Sequence, residues 1–355
     1  MLVIDTHAHI FPYLGGRSGY TSTSEHLTYC QWKMHKHIVQ PVRRVKDNQI
    51  VNEETLWDPD DSTIEGKYDV NFRVGKFGRF EWTKGGVDYY RQYLPSTIQD
   101  MRASPGLIKA MMDYAGIDKA IVQSGGTYGK LNYYFASVMD EFPELAERFI
   151  AFAKIDEKEA YKDEEIAKLQ KAIRDLGLKG LHFSADQNSF ATRYRPFWDE
   201  VRDLGIPVTW GFYPKKEIWF SLLKKLGRWK EDYPTVHCIL SMAFPLSTVT
   251  KDDRLEIPRF AEEIMGKDNI YAEIVYPIMR GAIEDYPYPI SREAIRQLYD
   301  SFGGHKLVWG SDIPMVERYC TYSQSLKYLT DYCDFISKED MELILGKNIQ
   351  RVLDR

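Results

Sequence analysis

The sequence predicts an α/β fold in which eight parallel strands alternate with helices and close into a (β/α)8 TIM barrel. Short apolar, β-branched runs recur eight times, and an amphipathic helical pattern separates each run from the next. Gly116, Gly177 and Gly205 each end a helical pattern just before a strand, as repeated βα units require. A chain of 355 residues suits one such barrel with additions, so we expect a single domain over residues 1–355.

The predicted strands are short enough to be buried strands of a parallel sheet. They are Leu2–Asp5, Lys119–Gln123, Phe149–Lys154, Gly180–Ser184, Pro207–Trp210, His237–Met242, Ile270–Ile274 and Lys306–Gly310. The predicted helices are Pro105–Tyr114, Tyr133–Glu141, Asp163–Leu176, Phe197–Leu204, Ile218–Trp229, Pro258–Met265, Arg292–Ser301, Tyr322–Tyr332 and Lys338–Leu353. A doubly wound open sheet is the alternative, but the first strand lacks a glycine-rich phosphate loop after it.

Residues 12–100 interrupt this alternation and show weak periodicity. A segment of that length inside a compact domain is usually functional or has a small structure of its own. We expect an insertion that caps the mouth of the barrel, with a hairpin around Tyr68–Trp82. Its histidines, His26, His35 and His37, are expected to face solvent, although His35 and His37 are also candidate metal ligands.

Composition excludes several classes of partner. The net charge is −5, the isoelectric point is about 6.0, and acidic and basic residues are interspersed, which argues against nucleic acid or an anionic membrane. Apolar runs are too short to span a bilayer. Four cysteines without CxxC spacing are expected to be reduced thiols in a cytoplasmic protein. The aromatic content of 14% is explained by packing, or alternatively by a pocket for a planar ligand.

The first strand runs into His7 and His9, which project from one face of a strand because its side chains alternate. Such a pair is either a chance surface or core feature, or two ligands of a metal. Asp312 directly follows the eighth strand, and active sites of such barrels lie at the carboxyl ends of the strands. On the simplest interpretation Asp312 is a turn residue. A carboxylate that lies opposite two imidazoles, however, favours a site for a catalytic divalent ion.

Other chemically active side chains also stand at predicted strand ends, whereas His237 and His305 precede their strands and belong to the opposite rim. The strand-end residues are Lys154, His182, Trp210, Met242 and Glu273. Trp210 could form a flat wall for an aromatic substrate, and Lys154 and Glu273 are further candidate substrate contacts. His182 is a candidate metal ligand or catalytic group, with a hydrogen bond to a carbonyl group as the alternative.

Several segments in order resemble the amidohydrolase superfamily. They are IDTHAHIF, MMDYAGIDKAIVQSG, RFIAFAKID, GLKGLHFS, GIPVTW, LVWGSDIP and ILGKNIQRVLDR. More narrowly they resemble its amidohydrolase-related branch, which contains aminocarboxymuconate-semialdehyde decarboxylase, γ-resorcylate decarboxylase and some lactone and amide hydrolases. The resemblance implies a barrel enzyme that binds one divalent ion, zinc or manganese, through His7, His9 and Asp312. It also implies that the chain forms homodimers.

Two family histidines do not carry over. The one expected at the end of the fifth strand is Trp210, and the one expected after the sixth falls at or beside Met242; neither residue type is a usual ligand for such an ion. Three explanations compete. His182 completes the metal site, the metal is bound weakly, or the enzyme works without metal and uses Asp312 as a base.

The resemblance implies non-oxidative decarboxylation of a small aromatic or conjugated carboxylic acid, with Asp312 supplying a proton to the ring carbon. The same groups around an activated water would hydrolyse a lactone or an amide instead. The third hypothesis is a barrel that no longer catalyses a reaction and only binds a metabolite. The expected partner is a small-molecule carboxylate substrate.

Overall fold

The computed structural model describes residues 1–37, 39–246, 249–251, 254–277 and 284–354, and eight parallel strands form one sheet in it. We number them β1 to β8: Ile4–Ala8, Lys119–Val122, Phe149–Ala153, Gly180–Ala185, Val208–Phe212, Cys238–Ser241, Ile270–Ile274 and Leu307–Trp309. Neighbours in the chain are neighbours in the sheet. The ends meet where His9 N donates to Ile313 O at 2.9 Å and Asp312 N donates to His7 O at 2.8 Å. The predicted (β/α)8 barrel is confirmed.

The amino-terminal end of the barrel is filled with apolar side chains. Ile4, the first residue of β1, belongs to a buried cluster with residues of four other strands, and Ile349 and Val352 of the last helix complete it. The strand members are Ile4, Ile121, Phe152, Ile239 and Val308. Because this end is packed, polar chemistry belongs to the opposite end.

Helices follow the strands as predicted. The helix Pro105–Ala115 shows how local residues determine where a helix begins and ends. Ser104 Oγ accepts from Leu107 N, Pro105 occupies the first turn, and Gly116 ends the helix with a φ of 76°. The α-helices outside residues 12–100 are Pro105–Ala115, Asn132–Glu141, Pro143–Ala146, Asp163–Arg174, Arg195–Asp203, Lys216–Asp232, Arg259–Met265, Pro289–Phe302, Tyr322–Tyr332, Lys338–Glu342 and Asn348–Leu353. Within the described ranges, none of the helices is long and apolar enough to cross a membrane.

Short turns and a small hairpin complete the barrel. A π-helical turn, Leu343–Lys347, joins the last two helices, so the final predicted helix is interrupted. The 3-10 turns are Thr192–Tyr194, Gly304–Lys306 and Met315–Arg318, and an antiparallel pair is formed by Thr250–Lys251 and Arg254–Leu255.

The segment 12–100 has a structure of its own. It contains the helix Thr23–His35, a 3-10 turn at Ile64–Gly66 and a five-stranded antiparallel sheet. The strands of this sheet are Val42–Arg44, Ile50–Val51, Arg73–Val74, Arg79–Lys84 and Val87–Gln92. The hairpin lies later than predicted, because its tight turn is Gly85 and Gly86, which both adopt the positive φ that such a turn needs.

The prediction that His26 faces solvent is wrong. Its ring is fully buried, with Nδ1 2.9 Å from Gly16 O and Nε2 2.9 Å from Thr127 O. The prediction is also wrong for the side chain of His35, of which 5% is exposed and whose Nδ1 lies 3.0 Å from Glu54 Oε2, whereas His37 is half-buried. The cause is the helix Thr23–His35, which packs His26 against the loop after β2; its weak hydrophobic pattern hides it in the sequence.

Gly310 provides a test of the barrel closure. A Cβ at this position would lie 2.9 Å from His7 Cβ and 3.0 Å from Thr6 Oγ1. We expect Gly310→Ala to lower the free energy of unfolding by roughly 1–3 kcal/mol, because the packed strands cannot separate without strain. Gly106→Ala is the control, since nothing lies within 4 Å of its Cβ position; it should be neutral or stabilise by up to about 1 kcal/mol. Urea unfolding measures both, and equal stability of the two variants would contradict the packing described here.

Candidate active site

His9 is oriented by the end of β2. Its Nδ1 lies 2.8 Å from the carbonyl oxygen of Gln123. A carbonyl only accepts hydrogen bonds, so Nδ1 carries a hydrogen and Nε2 is the ring nitrogen that faces the site. That Nε2 atom lies 3.0 Å from Asp312 Oδ1.

His7 has the same arrangement with a different partner. Its Nδ1 lies 2.9 Å from Glu273 Oε2, and its Nε2 lies 3.7 Å from Asp312 Oδ1. Both imidazoles therefore direct Nε2 towards one carboxylate oxygen. In the part of the chain that the structure describes, these three residues form the one group suited to a metal ion, with ligand atoms within 4.8 Å of one another. The predicted triad of His7, His9 and Asp312 is brought together.

Glu273 is fully buried at the end of β7 and accepts several hydrogen bonds besides that of His7. Thr6 Oγ1 donates to Oε1 at 2.8 Å, and Ser241 Oγ and Met242 N each donate to Oε2 at 3.1 Å. A carboxylate enclosed in this way orients His7, and the predicted contact of Glu273 with the substrate stays a prediction. Such outer partners fix the ring and the tautomer of a metal-binding histidine.

Burial and the nearby carboxylates have opposite effects on the pKa of His7. Burial alone lowers the pKa of His7, but the carboxylates of Glu273 and Asp312 outweigh it and raise that pKa to about 9. Asp312 itself has a φ of 63°, a strained conformation for a residue with a side chain. The backbone fixes it, since Asp312 N donates to His7 O and Asp312 O accepts from Val316 N at 3.0 Å. Strain held in this way is typical of functional sites.

A second buried carboxylate lies behind the triad. Asp5 accepts from His7 N and Ser311 N at 2.9 Å each, and from Tyr322 Oη at 2.6 Å. Burial raises the pKa of Asp5 to about 6, against the lowering effect of these hydrogen bonds. Asp5 thus joins the backbone of β1 to the segment that carries Asp312. Sequence reasoning missed this role, although an aspartate two residues before His7 was a visible signal.

His182 lies next to the triad without belonging to the three-residue group. Its Nδ1 is 2.8 Å from Gln123 Oε1, so Gln123 contacts His9 through its backbone and His182 through its side chain. Burial and the nearby charge of Lys154 lower the pKa of His182 well below its usual value, which keeps the ring neutral. Its roles as a fourth ligand or a catalytic group stay predictions. Gln123 was not singled out from the sequence, although it ends a predicted strand.

Lys154 lies beside His182. Its ammonium group forms an ion pair with Glu157 and lies 3.1 Å from Ser184 Oγ. The side chain is largely buried, with 14% exposed, so solvent screens its charge only weakly. A substrate contact by Lys154 stays a prediction.

Trp210 packs among aromatic rings. Its ring centroid lies 5.0 Å from that of Trp198 and 5.1 Å from that of Trp229, and the side chain is fully buried. Strand alternation turns the next residue, Gly211, to the other face, where a Cβ would lie 3.8 Å from His182. The structure shows a packing role for Trp210, and its predicted contact with substrate stays untested. Met242 reaches the site through its backbone nitrogen.

The family is decided by a match along almost the entire chain. The amidohydrolase family profile matches residues 4–355. The chain belongs to the amidohydrolase family. It is therefore an enzyme of the amidohydrolase superfamily, and the resemblance noted in the sequence is confirmed. No curated protein matches the sequence.

Solved structures of this superfamily share the fold. A 5-carboxyvanillate decarboxylase from Sphingomonas paucimobilis is 14% identical with a TM-score of 0.51, covering 73% of this chain and 86% of its own. A dihydroxybenzoic acid decarboxylase from Polaromonas with bound manganese and 2-nitroresorcinol is 14% identical with a TM-score of 0.52, covering 70% and 85%. A probable 2-pyrone-4,6-dicarboxylic acid hydrolase from Acinetobacter baumannii with citric acid bound is 15% identical with a TM-score of 0.57, covering 100% of both chains. Identities this low show the fold alone.

The role of Glu273 can be tested by its metal dependence. Glu273→Gln removes the charge that fixes His7 and places an amide among hydrogen-bond donors, so we expect metal affinity to fall roughly 10- to 100-fold. Glu263→Gln, an exposed carboxylate paired with Arg259, is the matched control and should leave affinity unchanged. Calorimetric titration with Mn²⁺ or Zn²⁺ measures both. An unchanged affinity in a folded Glu273→Gln protein would refute the orienting role.

Proposed function

We propose that the protein is a metal-dependent carboxy-lyase that decarboxylates a small aromatic or conjugated carboxylic acid without oxidation. The observation that carries this proposal is the convergence of the two histidine Nε2 atoms on Asp312 Oδ1, with both Nδ1 atoms engaged. The Nδ1 contacts fix the orientation of both rings, and a metal ion at this position would displace the proton that the raised pKa of His7 keeps on its ring.

The donor set fits a zinc or manganese ion. Two imidazole nitrogens and one carboxylate oxygen suit either metal, and three protein ligands leave positions for substrate. A bound ion supplies Lewis-acid polarisation of substrate oxygens. The absence of histidine at Trp210 and Met242 leaves the site with fewer protein ligands than the family pattern, and His182 is the candidate for an additional one.

Asp312 is the proposed acid. Its side chain lies at the centre of the site, with 7% of the residue exposed, so bulk water has little access to it. In the proposed step, Asp312 donates its proton to the ring carbon that carries the substrate carboxylate. The bond between that carbon and the carboxylate then breaks, and its electron pair returns to the ring as carbon dioxide leaves. We further propose that neutral His182 and cationic Lys154 bind the substrate.

Two of the similar structures support this choice of chemistry by what they act on, namely 5-carboxyvanillate and dihydroxybenzoic acid, the latter enzyme with manganese bound. Hydrolysis of a lactone or an amide is the second candidate. The observation that favours it is the similarity to a 2-pyrone-4,6-dicarboxylic acid hydrolase over the full length of both chains. In that reaction Asp312 would accept a proton from the attacking water. Its contact with His9 would hold it in position for this step even in an enzyme that works without metal.

Elemental analysis tests the metal. We expect about one equivalent of zinc or manganese per chain, because the triad offers one set of ligands. The double variant His7→Ala/His9→Ala should lose it, whereas the double variant His26→Ala/His35→Ala, which removes two histidines of the insertion, should retain it. Metal that is retained by the folded His7→Ala/His9→Ala protein would place the ion elsewhere and refute the proposed centre, and a thermal melt verifies that both double variants fold.

Product analysis with Asp312→Asn tests the reaction. The wild-type enzyme should release carbon dioxide from 5-carboxyvanillate or 2,6-dihydroxybenzoate, and Asp312→Asn should lower kcat roughly 10²- to 10⁴-fold because it cannot donate the proton. Asp113→Asn, an exposed residue paired with Lys109 and Arg148, is the control. Ring opening of 2-pyrone-4,6-dicarboxylate without any carbon dioxide release would instead establish the hydrolase.

A further inference from the structure

Gln123 contacts two histidines of the candidate site through different atoms. Its backbone oxygen lies 2.8 Å from His9 Nδ1, and its side-chain Oε1 lies 2.8 Å from His182 Nδ1. The sheet holds the backbone in place, since Gln123 N donates to Ala8 O at 3.1 Å. The side chain is enclosed, with 1% of the residue exposed. One fixed residue thus links an imidazole of the triad to a second imidazole outside it.

The amide group of Gln123 is only half satisfied. Its Oε1 pairs with His182, whereas its Nε2 is a buried nitrogen without a hydrogen-bond partner in the described part of the chain. An unpaired buried donor lowers stability, and an apolar side chain would avoid that penalty. Proteins keep such unfavourable features mainly where they serve function. The contact between Oε1 and His182 is the feature that glutamine provides here and an apolar residue would not.

His182 faces the interior of the barrel. It lies on β4 two residues after Gly180, so strand alternation turns both to the same face. A Cβ at Gly180 would lie 2.6 Å from a ring atom of Phe152, which belongs to the apolar cluster inside the barrel. The face that His182 shares is therefore the inner one. His182 is also nearer than Gly180 to the carboxyl end of the barrel, where the triad lies.

The ring of His182 is neutral, so only one of its nitrogens carries a hydrogen. Burial lowers the pKa of this ring well below its usual value, and the charges of Lys154, His7 and His9 add to the effect. An amide oxygen only accepts hydrogen bonds, so the contact with Gln123 places the hydrogen on Nδ1. Nε2 then keeps its lone pair and cannot donate a hydrogen bond.

We propose that Gln123 is a positioning residue that fixes the tautomer of His182 and thereby makes His182 Nε2 an electron-pair donor in the active site. This rests on the proposed function and narrows what His182 does in it. Its lone pair can bind the ion or accept a hydrogen bond from a hydroxyl group of the substrate, but it cannot serve as a donor to the substrate carboxylate. Binding of that carboxylate is left to the ammonium group of Lys154.

Histidine ¹⁵N NMR spectra test this proposal, because a ring nitrogen with a hydrogen and one with a lone pair give different signals. The variants His182→Gln and His9→Gln assign the two rings. In wild-type protein we expect the hydrogen of His182 on Nδ1. Gln123→Met should abolish this preference but leave the hydrogen of His9 on Nδ1, because the backbone oxygen of residue 123 remains. Gln123→Glu retains an acceptor oxygen and should restore the hydrogen on His182 Nδ1.

Gln187→Met is the matched control, because Gln187 is exposed in the loop after β4 and accepts from Ser221 Oγ. It should leave both rings unchanged. A thermal melt verifies folding, and if Gln123→Met unfolds, Gln123→Asn replaces it, since its shorter side chain withdraws the oxygen but keeps the amide. A hydrogen on His182 Nε2 in wild-type protein would overturn the proposal, as would an unchanged His182 tautomer in the folded variant.

Addition of Zn²⁺ to the same samples separates this proposal from the proposed function. The His9 signal reports whether the ion binds at the triad. If it moves, a displaced His182 Nε2 signal assigns that lone pair to the ion, and an unchanged one assigns it to the substrate. An unmoved His9 signal would refute the metal centre, while the tautomer spectra would still decide the role of Gln123.

Steady-state kinetics provide the functional readout. Gln123→Met should lower kcat/KM for decarboxylation roughly 10- to 100-fold, the loss typical when a partner that orients a histidine is removed. Gln187→Met should match the wild-type enzyme. A variant with an altered His182 tautomer and an unchanged kcat/KM would overturn the functional part of the proposal.

Discussion

Two hydrogen bonds to histidine Nδ1 atoms, from His7 to Glu273 and from His9 to the carbonyl oxygen of Gln123, determine what this site can do. They direct both Nε2 atoms at Asp312. The two acceptors stand at the ends of β7 and β2, on either side of β1, so the orientation exists only once the barrel has closed. The closed fold thus determines which ring nitrogen of each histidine faces the site.

Packing of the closed barrel also offsets the unfavourable free energy of the buried charges and the strained backbone in the site. Its amino-terminal end is filled with apolar side chains, whereas the other end carries the buried carboxylates of Asp5 and Glu273 and the strained backbone of Asp312. Each of these features would destabilise a protein if it stood alone. Hydrogen bonds from Thr6, Ser241 and Tyr322 compensate the carboxylates.

Much of the fold and the three central site residues were predictable from the sequence, since apolar runs mark buried strands and an HxH pair marks the end of the first. The surrounding residues were not. Gln123 and Ser241 contact residues that are far from them in sequence, and no local sequence pattern indicates those contacts. Assigning a packing role to Trp210 required the phase of β5, which a run of four residues does not fix. The helix Thr23–His35 has too weak a hydrophobic pattern to be recognised.

Anomalous diffraction from crystals grown with Mn²⁺ tests the central claim most directly, because it locates the ion and names the atoms that bind it. We predict one peak within bonding distance of Nε2 of His7, Nε2 of His9 and a carboxylate oxygen of Asp312, with both Nδ1 contacts preserved. A peak bound through either Nδ1 atom, or an ion that leaves the two histidines uncoordinated, would contradict the account.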